Sequence, residues 1–188
     1  AAQECLDRGV NLNWILDGLC TRKGKLQAGL VLMGYVNPFM QYGWEKLARD
    51  AAQAGVQGII VPDLPLEENK EIESLLSAQK ITLISLVGLN TSQDRMQAYA
   101  QRAKGFVYFV SVLGTTGTRS ALPPILVRQL CQAREIFSQP VALGFGLSSP
   151  EQLQGLEDKV DAVVFGSALI QHLRSGGHSQ DFLARWLS

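Results

Sequence analysis

Short, almost wholly apolar runs recur along this chain, and each is closed by glycine, proline or a small polar residue. Six such runs occupy residues 28–33, 56–61, 81–87, 105–111, 141–144 and 163–165. A run of that length without polar alternation predicts a strand covered on both faces, the kind found in parallel sheets. Stretches of helical period separate the runs. They cover residues 1–19 (with Asn11 or Asn13 capping a second segment after Gly9), 44–54, 67–79, a stretch capped by Ser92 and running to 103, and 123–137. Two more close the chain, at 167–172 and about 180–186. Strand and helix alternate without a linker, repeat or charge block, which predicts an α/β fold with a parallel sheet and right-handed crossovers.

The last two runs carry the chemical signal. Val141-Ala142-Leu143-Gly144-Phe145-Gly146-Leu147-Ser148-Ser149-Pro150-Glu151 reads as a strand, a turn with two glycines, and a helix start. Val163-Val164-Phe165-Gly166-Ser167-Ala168 repeats that order. Unpaired N–H groups at a helix N-terminus, reached through glycines, suit a phosphate. Either station alone reads as an ordinary tight turn. Together they fit the phosphate site that (β/α)8 barrels form after strands seven and eight. An open doubly wound sheet is the alternative, but no GxGxxG opening or ribose-binding acid accompanies it. A barrel needs eight strands, so two βα units would precede residue 1, which already lies in a helical stretch.

Composition removes other classes. Seventeen basic residues balance seventeen acidic ones, so no net field attracts a nucleic-acid backbone or an anionic membrane. No apolar run spans a bilayer and no signal-peptide pattern opens the chain. Cys5, Cys20 and Cys131 are odd in number and scattered, which predicts reduced thiols in a cytoplasmic protein. His172 and His178 have no Cys or Glu at ligand spacing, so no metal site is expected.

Several stretches together resemble the tryptophan synthase α-subunit family. They are Leu32-Met33-Gly34-Tyr35-Val36-Asn37-Pro38 with Tyr42-Gly43, Val61-Pro62-Asp63-Leu64-Pro65-Leu66-Glu67-Glu68, and Tyr108-Phe109-Val110-Ser111 leading to Gly114-Thr115-Thr116-Gly117. Both glycine stations complete the set, in matching order across essentially all 188 residues. The resemblance implies a (β/α)8 TIM-barrel family with six of its eight units here, as a single partial domain. It implies retro-aldol cleavage of indole-3-glycerol phosphate to indole and glyceraldehyde 3-phosphate, without a cofactor. Carried over by position, Gly117, Gly146, Gly166 and Ser167 would hold the phosphate. Ile60, Leu86, Tyr108, Thr116 and Phe145 would line the substrate pocket. Asn37, Pro38 and residues 114–120 match surfaces that face a β subunit. The implied location is the cytoplasm, or a plastid for a mature fragment.

The family's acid and base are a glutamate at the end of its second strand and an aspartate in the loop after it, and neither has a counterpart among the 188 residues. Tyr108 and Asp63 are the weak candidates for a chemical role, while Glu67 and Glu68 fall after a strand on the following helix. Asp63 reads more readily as a carboxylate that fixes its own loop. The 188 residues are therefore expected to be inactive alone, and open strand edges invite self-association. Three origins fit: a partial chain, units supplied by another chain, or a truncated relative that closes differently. A non-catalytic protein that binds a phosphate ligand or a β subunit is the alternative function. Another phosphate-binding barrel, such as an isomerase of histidine or tryptophan biosynthesis, would share the glycine stations but not Leu-Met-Gly-Tyr or Val-Pro-Asp-Leu-Pro.

Overall fold

In the computed structural model, residues 2–111, 123–144, 149–156 and 158–187 are described. The chain divides into two compact units, Ala1–Ile84 and Ser85–Ser188. Every strand pairing among the described residues is parallel, as the apolar runs require. No described helix is long and apolar enough to cross a membrane.

The first unit opens with α1 (Ala2–Asp7) and α2 (Leu12–Cys20). Gly9 separates them at φ 78°, and the Asn11 side chain caps α2 by accepting from Trp14 N at 3.0 Å. A three-stranded sheet follows in the order β1 (Leu30–Met33), β2 (Val56–Ile60), β3 (Thr82–Leu83). Between the strands lie α3 (Val36–Tyr42), α4 (Trp44–Gln53) and α5 (Lys70–Ala78). Leu16, Phe39, Leu47, Ala51, Ile59 and Leu76 form the core where the helices meet one face of this sheet. Gly55 ends the α4 segment at φ 85°, a conformation that costs glycine nothing.

Three expectations are corrected here. The first strand is not covered on both faces: Leu30 and Leu32 are half-buried, but Val31 and Met33 are 41% and 50% exposed. The stretch between residues 33 and 44, for which no helix is expected, holds one, and Asn37 and Pro38 lie in the first turn of α3. Proline is tolerated there because the opening N–H groups of a helix have no intrahelical acceptor. The helix expected from residue 67 begins at Lys70, since Glu68 N closes a turn on Pro65 O.

The second unit holds a sheet in the order β4 (Ser85–Gly88), β5 (Val107–Val110), β6 (Val141–Gly144), β7 (Ala162–Val164). The run expected as one strand over 81–87 is thus two pieces. Its first part, with Ile84 N donating to Ile59 O, pairs with β2, and its second pairs with β5. The six expected strands therefore become seven among the described residues. Helix α6 (Gln93–Ala100), capped by Ser92, and α7 (Pro124–Ile136) cover one face. Val87, Val107, Phe109, Val141 and Leu143 of that face pack on Met96, Leu126, Leu130 and Ala133. The unit closes with α8 (Ser167–Arg174) and α9 (Ser179–Leu187).

Candidate functional site

Strand period decides what the second sheet presents on the face away from α6 and α7. Val107 and Phe109 enter the helix-packed core, so Tyr108 projects from the opposite face. Tyr108 is level with Leu86 on β4 and Ala142 on β6, which places their side chains on the same face. Tyr108 is 3% exposed, and burial pushes its phenol above the usual value. Its hydroxyl therefore stays protonated at neutral pH. A Cβ on Gly144 would stand 2.6 Å from Tyr108 Cζ and nearer still to Cε2 and the hydroxyl. The ring lies where a side chain of residue 144 would be.

Just beyond Tyr108, Ser111 is fully buried and binds the end of β6 twice. Its backbone N donates to Gly144 O at 3.0 Å and its Oγ to the same oxygen at 3.1 Å. The ends of β5 and β6 are thereby held together where the segments 112–122 and 145–148 begin. No sequence expectation singled out Ser111. The available signal was a hydroxyl closing the apolar run Phe109-Val110.

The two glycine stations differ in structure. After the first, the expected helix start is a single 3-10 turn, Pro150–Leu153. Its entry is already satisfied, because Ser149 N donates to Gln152 Oε1 at 3.1 Å. A hydrogen bond from the Ser149 hydroxyl also holds the Glu151 carboxyl below its usual range. The second station runs from β7 through Phe165 and Gly166 into α8, which extends to Arg174, past the expected His172. Gly166 caps α8 without any side-chain hydrogen bond, and Ile170 N to Gly166 O at 2.9 Å is the first helical bond. Gly166 and Ser167 are exposed. Gly166 has φ −129° and ψ −61°, and a Cβ there would meet nothing within 4 Å. Packing among the described residues does not demand a glycine there.

In the first unit, Ile60 ends β2, is 5% exposed and follows core residue Ile59, so it faces away from the helices. Asp63 is exposed, and its Oδ1 accepts from Val36 N, the first residue of α3, at 2.9 Å. It holds the entry of a neighbouring helix rather than its own loop. Asn37 and Pro38 are exposed, and Asn37 Oδ1 accepts from Gln41 Nε2 at 3.5 Å. Thr116, Gly117, Phe145 and Gly146, with residues 114–120, lie outside the described residues. Among the described residues no three His, Cys, Asp or Glu side chains converge as metal ligands.

The sequence model of the family described as "Tryptophan synthase alpha chain" matches residues 1–185. The chain belongs to that family. It is a lyase family of tryptophan biosynthesis. The tryptophan synthase alpha chain of Nitratidesulfovibrio vulgaris Hildenborough is 56% identical over 186 residues, which cover 99% of this chain and 72% of that protein. The alpha chain of Solidesulfovibrio magneticus is 58% identical over 186 residues, covering 99% and 73%. Among solved structures, one from Pyrococcus furiosus, described in terms of mutual activation of the tryptophan synthase a2b2 complex, is similar at TM-score 0.87 and 31% identity. It covers 97% of this chain and 76% of that one. The α/β fold with parallel sheets is thus the one seen in tryptophan synthase α structures, as the strand–helix alternation predicts.

Proposed function

We propose that this chain binds indole-3-glycerol phosphate, or a ligand with the same phosphate, as part of an enzyme that releases indole and glyceraldehyde 3-phosphate. Gly117, Gly146, Gly166 and Ser167 form the phosphate seat. Leu86, Tyr108, Thr116 and Phe145 surround the rest of the substrate. The observation that carries the reading is the start of α8. An exposed helix N-terminus, preceded by a glycine and without a side-chain cap among the described residues, leaves N–H donors for phosphate oxygens. Ser167 adds a hydroxyl at the first helical position.

Retro-aldol cleavage needs an acid at indole C3, a carboxylate beside the ring nitrogen and a base for the glycerol hydroxyl. Tyr108, kept protonated by burial, suits a hydrogen bond to substrate rather than proton abstraction. Asp63 is occupied at the entry of α3. A positioned acid or base contributes about 10²–10⁴-fold, so a polypeptide of these 188 residues alone turns over negligibly. Asn37 and Pro38, exposed on the first turn of α3, are the contact for a β subunit. The absence of a membrane-crossing helix among the described residues suits a cytoplasmic enzyme.

Two measurements test this reading. Calorimetric titration with glycerol 3-phosphate should show saturable binding, and an indole-release assay on the 188-residue polypeptide should stay at the buffer rate. Absence of binding sinks the phosphate seat. Turnover by the polypeptide alone sinks the claim that its residues lack the acid and base.

A further inference from the structure

We infer that the closing helix α9 anchors the phosphate seat, with Phe182 and Trp186 acting as positioning residues that hold Phe165, the residue immediately before Gly166. The inference rests on the phosphate reading of Gly166 and Ser167 given above.

The anchor is an aromatic stack. The Phe165 ring lies 4.9 Å from Trp186 at 25°, a stacked pair, and 4.9 Å from Phe182 at 60°. Phe182 and Trp186 touch each other at 5.9 Å. Phe182 is 4% exposed, and Trp186 also packs against the core under the sheet. A second hold reaches α8 further along. The His172 ring lies 5.5 Å from Phe182, and its Nε2 is 3.0 Å from His178 O in the turn before α9. A Cβ at Gly177 would overlap that ring, so the turn is shaped around it. Helix α9 therefore grips α8 on both sides of its first turn.

The seat needs such a grip. It starts from β7, three residues long and paired only with β6 among the described residues. Its entry is tied to β6 through Asp161, but towards the seat Val163 and Val164 are only half-buried. Helix N–H groups bind an oxyanion only while their directions are fixed, because donor geometry sets the strength of each bond. Stacked aromatics fix the chain at the residue before the cap. A Phe in that place, paired with two aromatics on α9, does what a longer strand would otherwise do.

The test titrates inorganic phosphate and glycerol 3-phosphate into the full 188-residue chain by calorimetry, alongside thermal unfolding. Trp186→Ala and Phe165→Leu should each weaken both ligands about tenfold, equivalent to about 1.4 kcal/mol. Trp186→Phe, which keeps the stack, should stay within about twofold of the parent. Leu130→Ala, a core truncation on α7, should lower the unfolding midpoint yet leave affinity unchanged. Parent affinity in Trp186→Ala and Phe165→Leu, with binding abolished by Ser167→Glu, overturns the anchor and leaves the seat standing. An equal loss in Leu130→Ala also overturns it, because general loosening would then explain everything. No phosphate binding by the parent, or none lost in Ser167→Glu, removes the seat and the anchor together. If Trp186→Ala does not fold, Phe165→Leu, which retains an apolar side chain of similar size, decides.

Discussion

Replacing Gly144 with alanine should be far more costly than one methyl group suggests, and Tyr108 should account for the cost. The added Cβ would stand 2.6 Å from Tyr108 Cζ, below the 3.0 Å at which something must shift. Backbone relief is restricted, because Gly144 O already accepts from both Ser111 N and Ser111 Oγ. The ring must therefore move. If it finds room nearby, the change is an overpacking of about 1–3 kcal/mol. If the ring is expelled, burial of about 150–250 Å² is lost at about 25 cal/mol per Å², an upper bound near 4–6 kcal/mol. Tyr108→Leu removes the colliding atoms, so Gly144→Ala in that background should cost less than about 0.5 kcal/mol. Urea unfolding of the four proteins of this double-mutant cycle should give a coupling above about 0.5 kcal/mol. Additivity within about 0.5 kcal/mol would refute the claim that the tyrosine ring requires glycine at 144.

Two further predictions concern the first unit. Asp63→Ala should lower stability by about 0.5–2 kcal/mol, the range for lost helix-entry acceptors, whereas Asp63→Asn should retain most of it by keeping Oδ1. A loss of ligand binding in Asp63→Asn at unchanged stability would instead give Asp63 a chemical role. Asp50 accepts from Lys46 at 3.0 Å and Tyr42 at 2.8 Å, and these hydrogen bonds, Lys46 first, hold its carboxyl below the usual range. A depressed carboxylate contributes stability above its unfolded pKa of about 4 and loses it as pH falls through the folded value. The difference in urea midpoint between the parent and Asp50→Asn should therefore be present at neutral pH and shrink below about pH 4, and it should be small for a pair near the surface. A difference that grows on acidification would contradict that sign.

Some elements were legible because their signals are local. Asn11 and Ser92 cap helices where a side-chain oxygen meets an N–H three residues on. Leu47, Ala51 and Ala54 share one face because helical period places them there, and all three are fully buried. The missed helix α3 shows the limit. Asn37-Pro38 has the composition of a turn, and only Asp63, 27 residues away, supplies the acceptor that lets Val36 begin a helix. The divided run at residues 81–88 shows it again: its residues are strand-like throughout, but hydrogen-bond partners in other strands assign its halves to different sheets.

The candidate site divides along the same line. By itself the sequence determined the class, the alternation of strands and helices, the family and the positions of the glycines, because these depend on residue type and spacing. Tertiary structure alone decided that the first glycine station enters a capped 3-10 turn and the second an open α-helix. It alone brought Tyr108 over Gly144, tied Ser111 to the end of β6, and stacked Phe165 on Trp186. The physical reason is the same each time. A strand's period fixes which face a side chain takes, while the neighbour it meets there comes from a segment about 20 to 40 residues further along, which only the folded sheet and its helices bring close.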